Sequence, residues 1–234
     1  MTAGAQTDNR ARVLGALRRS LGRADDDGAQ AAVAARLATP ERGPVPDRSQ
    51  GDHAARIGLF ADMAAQAAAQ VVRVDGPAAV PAAVAAFLKA ENLPAEVRLA
   101  PDRALKALAW ETEPLLTLSD GPARPADAVS LTAAFAGIAE TGTLMLCSGP
   151  EGPTTLNFLP ETHIVVLRTS QVVGPYEDAW DRLRQARGTA GLPRTVNLIT
   201  GPSRTADIEQ TIQLGAHGPR RLCILLVDDG DAET

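Results

Sequence analysis

Apolar residues near the N-terminus of this chain recur with the period of a helix. Val13, Leu17 and Leu21 fall on one face, and charged residues fall on the opposite face. The spacing predicts an amphipathic helix that stops at Gly22. This helix is expected to pack on its own domain or to dock on a partner.

Residues 38–52 interrupt the apolar pattern. This stretch is rich in proline, glycine and charged residues, a composition typical of a linker. The sequence therefore predicts an N-terminal helix plus linker over residues 1–52 and one further domain over residues 53–234.

Helical and extended patterns alternate after the linker. Helices are predicted at 57–67, 80–90, 103–110, 176–186 and 206–214. Strands are predicted at 71–74, 97–99, 115–118, 143–147, 163–167, 196–200 and 222–227. The later strands are continuously apolar, as strands buried on both faces are. The pattern predicts an α/β fold with a mainly parallel sheet between helices, with mixed pairing within residues 129–170.

Composition and charge narrow the class of protein. The 234 residues are 45% hydrophobic and 22% charged, which is ordinary for a globular domain. A net charge of −5 argues against a nucleic-acid surface. No apolar run approaches the roughly 20 residues that span a bilayer, and the N-terminus lacks a secretion signal. We therefore expect a cytoplasmic protein with no membrane span.

Cysteine usage limits the cofactors that the chain could hold by itself. Cys147 and Cys223 both lie in apolar runs, where a free thiol packs as a small hydrophobic group. Zinc and cubane iron–sulfur sites need more ligands, closely spaced. We expect no such centre in this chain.

A first candidate site lies in the polar turn at residues 139–143, just before an apolar strand. Gly142 would let the backbone adopt a positive φ or approach a ligand closely. The hydroxyls of Thr141 and Thr143 could cradle an anion with nearby amides, and Glu140 could act as base or nucleophile. A polar turn without function is the alternative.

A second candidate lies at residues 200–209, between a predicted strand and a predicted helix. Ser203 or Thr205 could cap the helix, whose first turn would offer free N–H groups to a phosphate or carboxylate. Asp207 and Glu209 are two positions apart and point in different directions, so at most one faces the ligand. Helix capping alone is the alternative.

A third candidate is His217, which small residues surround in the turn before the last strand. Its ring could serve as acid, base or metal ligand near neutral pH, or bond to a neighbouring carbonyl. His163 opens a buried strand and is predicted to be a core residue. A metal site would need distant residues to converge, for example His217 with Asp207 or Glu140. No phosphate-binding glycine motif of the dinucleotide or P-loop type occurs.

The order of these segments resembles the LUD-domain family, of the lactate-utilisation protein C type, over residues 129–227. The segments that carry the resemblance are 140–143, 159–160, 200–203, 205–209 and 215–219. The resemblance implies a three-layer doubly wound fold like that of the ribose-phosphate isomerase and CoA-transferase superfamily, here over residues 53–234. It also implies a role in oxidising L-lactate to pyruvate, with the iron–sulfur clusters in a partner subunit and no cofactor in this chain.

Three functional hypotheses follow. The first is a subunit of an iron–sulfur-dependent lactate-oxidising system that binds a small carboxylate such as lactate or pyruvate. The second is a stand-alone enzyme on a sugar phosphate or CoA thioester, and the third is a non-catalytic assembly or regulatory module. The candidate catalytic residues are Glu140, His217 and Asp207. The candidate ligand-binding residues are Thr141, Gly142, Thr143, Ser203, Thr205 and Glu209.

Overall fold

The computed structural model describes residues 3–22, 27–205 and 213–230, which fall into two compact units divided after Pro44. The first unit contains helices α1 (Ala3–Ser20) and α2 (Asp27–Ala38). The second begins at Val45 and contains the residues just before the third helix. The predicted division into residues 1–52 and 53–234 stays a prediction.

The second unit alternates helices with strands, as the apolar pattern predicts. Its helices are α3 (His53–Gln66), α4 (Val80–Ala90), α5 (Arg103–Lys106) and α6 (Tyr176–Arg187). Its first six strands are β1 (Gln70–Val74), β2 (Glu96–Leu99), β3 (Thr117–Asp120), β4 (Val129–Ala133), β5 (Ala136–Ile138) and β6 (Thr143–Cys147). The others are β7 (Thr162–Arg168), β8 (Val172–Val173), β9 (Val196–Ile199), β10 (Arg204–Thr205), β11 (Gln213–Leu214) and β12 (Arg221–Val227).

Six strands form one parallel sheet in the order β1-β12-β7-β4-β2-β3. The central strands β12, β7 and β4 are apolar and buried on both faces, as expected for strands covered from both sides. A smaller sheet, in the order β8-β5-β6-β9, contains the antiparallel pairs expected near residues 129–170. The predicted α/β class with a mainly parallel sheet is confirmed.

Different elements cover the two faces of the main sheet. Helix α4 packs on one face through Val84 and Leu88. Helix α3 and the smaller sheet pack on the other through Phe60 and Leu144, and α6 buries Leu183 against the outer side of the smaller sheet. Both faces of the parallel sheet are therefore covered by other elements. The ends of its strands remain accessible to a ligand.

The helix predicted at residues 206–214 is wrong at its described residues, Gln213–Leu214, which form a strand. Arg204–Thr205 forms strand β10, which pairs antiparallel with Gln213–Leu214 in β11. Backbone bonds hold this hairpin, because the Ser203 N–H donates to the Pro219 carbonyl and the Gly215 N–H donates to the Ser203 carbonyl. These partners lie far along the chain, so local capping signals did not reveal them. Asp207 and Glu209 lie outside the described residues.

A buried ion pair fastens β2 to the segment before β4. Arg98 is 4% exposed, its Nε donates to Asp127 Oδ2 over 2.8 Å, and a second nitrogen donates to the Asp120 carbonyl over 2.9 Å. Burial of the Asp127 carboxyl opposes ionisation, yet the bonds from Arg98 lower its pKa overall. The pair therefore exists in its charged form.

Asp127→Ala is expected to lower the free energy of unfolding by about 2–4 kcal/mol, because it leaves a buried guanidinium without its counter-charge. Urea unfolding followed by circular dichroism measures the loss. Glu161→Ala is the control, since its pairing with Arg220 is exposed and should change stability by less than about 0.5 kcal/mol. Equal effects of the two variants would contradict a structural role for the buried pair.

Candidate functional site

A cavity lies at the carboxyl ends of the main-sheet strands, and we call it the carboxyl-end cleft. Its volume is about 660 Å³, and it is lined by residues that end or follow β2, β4, β7 and β12, including Ala100, Ala134, Arg168 and Val227. Strand β2 leads outward to β3, whereas its neighbour β4 leads the other way to β7. Such a reversal of direction is where open α/β sheets bind ligands.

Two guanidinium groups lie on the wall of this cleft. Arg168 is the exposed last residue of β7, and Arg187 ends helix α6 with its Nε donating to the Gly191 carbonyl over 3.0 Å. Two carboxylates also line the cleft, but each has a partner in the protein. Asp102 accepts from the Leu105 N–H over 3.0 Å, and Glu151 pairs with an exposed arginine over 3.5 Å. The cleft can therefore attract an anion.

Asn157 supplies a buried polar group to the same cleft. It is 5% exposed, and it lines the cleft. The neighbouring Gln171 is committed, because its Nε2 donates to the Ala134 carbonyl and its Oε1 accepts from the Arg168 N–H. The Asn157 carboxamide can both donate hydrogen bonds to a ligand and accept them from it. Sequence reasoning missed Asn157 and Arg168, because no local pattern marks either residue.

A smaller cavity of about 260 Å³ lies near the first residues of β7 and β12, and we call it the His163 cavity. Ser203 and His217 both line it, and the His217 N–H donates to Ser203 Oγ over 3.3 Å. The fold therefore brings these two predicted site residues together. Asn157 lines this cavity as well as the cleft.

His163 is fully buried, as predicted for a core residue, but only half of its ring is paired. Its Nε2 is hydrogen-bonded to Thr132 Oγ1 over 2.7 Å, while its Nδ1 has no partner among the described residues. Burial lowers the pKa of this imidazole to about 3, so the ring is neutral at physiological pH. Thr132 lines the cleft, and the Thr132–His163 pair therefore links the two cavities.

The Glu140 loop is occupied by contacts within the protein. Thr141 and Thr143 are hydrogen-bonded to each other over 2.6 Å and to the Tyr176 hydroxyl over 2.9 Å each, and Thr143 also reaches the Thr200 hydroxyl over 2.6 Å. Glu140 Oε2 accepts from the Tyr176 N–H over 3.4 Å. Glu140 lies outside the residues that line the cleft or the His163 cavity.

Gly142 adopts the predicted positive φ, but helix α3 fills the space beside it. Its φ is 66°, and a Cβ built there would lie 2.2 Å from the Ala64 backbone nitrogen. The three segments singled out from the sequence do not all share one cavity. Ser203 and His217 share a cavity, and the Glu140 loop is connected to its wall through the hydrogen bond between Thr143 and Thr200. Thr205 lies in β10.

Neither cysteine is placed for reactivity. Burial raises the pKa of the Cys147 thiol and, with a smaller contribution from Glu91, raises that of Cys223 to about 12. Over residues 3–22, 27–205 and 213–230, no group of three His, Cys, Asp or Glu side chains is placed to hold a metal ion. None of the described helices has the length and hydropathy to cross a membrane.

Comparisons with known proteins agree on one family. The family model described as LUD domain matches residues 123–227. An uncharacterized protein of Neisseria meningitidis is 40% identical over 118 residues, covering 50% of this chain and 46% of that protein. Lactate utilization protein C of Shouchella clausii is 36% identical over 101 residues (43% of this chain, 44% of that protein), and that of Bacillus subtilis is 37% identical over 103 residues (43% and 42%).

The aligned part of this chain spans less than half the length of these curated relatives. A crystal structure of a DUF162 family protein from Deinococcus radiodurans shares the fold, with a TM-score of 0.57 and 24% identity over 76% of this chain and 99% of that one. The matched residues 123–227 include strands β4, β7 and β12, which contribute residues to the walls of the two cavities. Residues 123–227 of this chain therefore match the LUD domain, and over this part the chain is similar to lactate utilization C proteins.

Proposed function

We propose that this protein serves lactate utilisation as the carboxylate-binding subunit of an L-lactate-oxidising system. The observation that carries this proposal is its similarity to two lactate utilization C proteins, at 36% and 37% identity over 101 and 103 residues. Because that similarity covers less than half of each relative, the substrate and the partners are part of the proposal.

The carboxyl-end cleft supports a carboxylate ligand. Arg168 and Arg187 line it, and a guanidinium binds a carboxylate through two parallel hydrogen bonds. The buried Asn157 carboxamide can donate to a 2-oxo oxygen or accept from a 2-hydroxyl group. Together these groups would orient a 2-hydroxy or 2-oxo acid at the carboxyl ends of the strands.

Oxidation of lactate to pyruvate breaks the C2–H and O–H bonds and releases two electrons and two protons. We propose that the electrons pass to iron–sulfur clusters in a partner subunit, because Cys147 and Cys223 are too few to ligate a cubane cluster. The proton-transfer roles of Glu140, His217 and Asp207 stay predictions. A Glu140→Ala variant that keeps full activity in the complex would favour the assembly-module hypothesis.

Deletion of the gene is expected to abolish growth on L-lactate while growth on pyruvate continues. Restoring the gene should restore growth, whereas an Arg168→Gln copy should not, because the cleft loses a guanidinium. In titration calorimetry this variant should bind pyruvate at least about tenfold more weakly than the parent, the equivalent of about 1.4 kcal/mol.

Arg184→Gln is the matched control, since Arg184 lies on α6 outside the residues that line the cleft. It should support growth on lactate and bind pyruvate as the parent does. Undiminished growth of the deletion strain on lactate, with the partner genes intact, would refute the role in lactate utilisation.

The volume of the cleft favours one second candidate. At about 660 Å³ it lies in the size range of sites for drug-sized ligands, well above what a three-carbon acid fills. A sugar phosphate or a CoA thioester would fill it better, and its phosphates would suit the same arginines. Tight binding of either by the purified chain, without binding of pyruvate, would select this candidate.

A further inference from the structure

We propose that the His163 cavity is a second binding site, separate from the cleft, which takes a small uncharged ring compound bearing a primary carboxamide. Its buried polar group is the His163 ring, and its exposed lining includes the apolar side chains of Phe158 and Leu198. The proposal does not depend on lactate as the substrate of the cleft.

The described residues that line the cavity offer an anion no permanent counter-charge. No lysine, arginine, aspartate or glutamate lines it among the described residues. His163 contributes no charge either, because burial holds its pKa near 3. A carboxylate placed there would lose its hydration without gaining a counter-charge, which is costly. The cavity therefore differs in ligand class from the cleft, where two arginines lie.

A buried polar atom that lacks a partner defines what the ligand must supply. This atom is Nδ1 of the His163 ring, which is buried and has no hydrogen-bond partner among the described residues. Ser203 Oγ accepts from the His217 N–H, which leaves the Ser203 hydroxyl proton to donate.

A primary carboxamide fits both possible tautomers of His163. If Thr132 donates to Nε2, then Nδ1 carries the proton and needs an acceptor; in the reverse case Nδ1 needs a donor. A carboxamide has an acceptor oxygen and two donor hydrogens on adjacent atoms. One such group can therefore serve His163 whichever ring nitrogen carries the proton.

The rim of the cavity suits an aromatic ring. Phe158 and Leu198 line the cavity, and their side chains are 42% and 43% exposed. A ring packed on Phe158 would remove this apolar surface from water and add a favourable ring–ring contact. The volume of about 260 Å³ lies below the usual range for drug-sized ligands and matches one ring with a short substituent.

Nicotinamide and nicotinate form the test pair, because they have nearly the same size and differ in charge at pH 7. In titration calorimetry with the full chain, nicotinamide should bind and nicotinate should bind at least tenfold more weakly. In a ¹⁵N-detected histidine spectrum, nicotinamide should shift the Nδ1 resonance of His163 and leave that of His53 in place.

Gly218→Leu should reduce nicotinamide affinity at least tenfold. A Cβ at Gly218 would lie 3.5 Å from the Ser203 Cβ and 3.8 Å from Phe158, so a side chain fits there and fills the cavity. Gly58→Leu is the control, because nothing lies within 4 Å of its Cβ position and it does not line the cavity. This variant should bind nicotinamide as the parent does.

Three results would each overturn the proposal: no binding of nicotinamide, equal binding of nicotinate, or undiminished binding by Gly218→Leu. If Gly218→Leu does not fold, the His163 resonance in the parent decides. A shift on addition of nicotinamide supports the site, and an unchanged resonance at saturation refutes it. None of these results bears on pyruvate binding in the cleft, so the two proposals fail separately.

Discussion

Gly142→Ala should lower the free energy of unfolding by roughly 3–5 kcal/mol, and the melting temperature by about 10 °C. Gly142 has a φ of 66°, where a side chain adds backbone strain of about 1–3 kcal/mol. The added methyl group would also lie 2.2 Å from the Ala64 nitrogen and 2.5 Å from the Met63 carbonyl carbon. Because these are backbone atoms of α3, the helix itself must shift, which adds a similar cost.

Gly230→Ala separates the two causes. Gly230 also has a positive φ, 74°, but nothing lies within 4 Å of its Cβ position. This variant should lose only the part due to backbone strain, about 2 kcal/mol less than Gly142→Ala. Thermal and urea unfolding of both variants give the comparison. Equal losses would mean that the close approach of the Glu140 loop to α3 contributes nothing to stability.

This result bears on function as well as on stability. A packing role for Gly142 would explain the glycine in the Glu140 loop without any ligand. The hydroxyls of Thr141 and Thr143 are likewise satisfied by Tyr176 and Thr200. These contacts give the Glu140 loop a structural role, because its hydrogen bonds join the smaller sheet to the segment after β9.

The sequence predicts the main sheet well because a continuous apolar run fits few structures other than a buried strand. Residues 163–167 and 222–227 are continuously apolar after His163, and they form the paired central strands β7 and β12. The hairpin of β10 and β11 was not predictable, because its bonds join Ser203 to Pro219 and Gly215 across a long separation. Local capping signals at Ser203 favoured a helix, whereas the described residues Arg204–Thr205 and Gln213–Leu214 pair as strands.

The candidate site was predictable only in part, for a similar reason. Ser203 and His217 stand out as polar residues among glycines and prolines, and they do meet in one cavity. Asn157 stands in an unremarkable turn, and Arg168 is one arginine among many. Their importance comes from where β4 and β7 end in the sheet, which depends on strand order and not on neighbouring residues.

Stability should fall steeply in mild acid because of His163. Burial lowers the pKa of this imidazole from 6.5 to about 3 in the folded protein. Between these two values the unfolded chain binds a proton that the folded protein does not, so the contribution is fully present above pH 6.5 and is lost as pH falls toward 3. Each pH unit costs about 1.4 kcal/mol, which makes roughly 4–5 kcal/mol over the whole window.

His163→Leu should remove this dependence on pH. The test compares how the free energy of unfolding changes with pH, so the variant's own stability at pH 7 does not affect the result. The free energy of unfolding of this variant is measured in urea from pH 7 to pH 3.5. Its slope should be shallower than that of the parent by up to about 1.4 kcal/mol per pH unit. His53→Gln is the control: His53 is exposed at the start of α3, and the variant should keep the slope of the parent.

Parallel slopes for His163→Leu and the parent would contradict the buried, neutral imidazole. That outcome would also count against an uncharged ligand in the His163 cavity, since a protonated imidazole would attract an anion. Direct titration of the His163 ring resonance by NMR separates the two readings, because it follows the folded protein alone. A neutral ring down to about pH 4 would show that His163 adds no charge to the cavity over the whole physiological range.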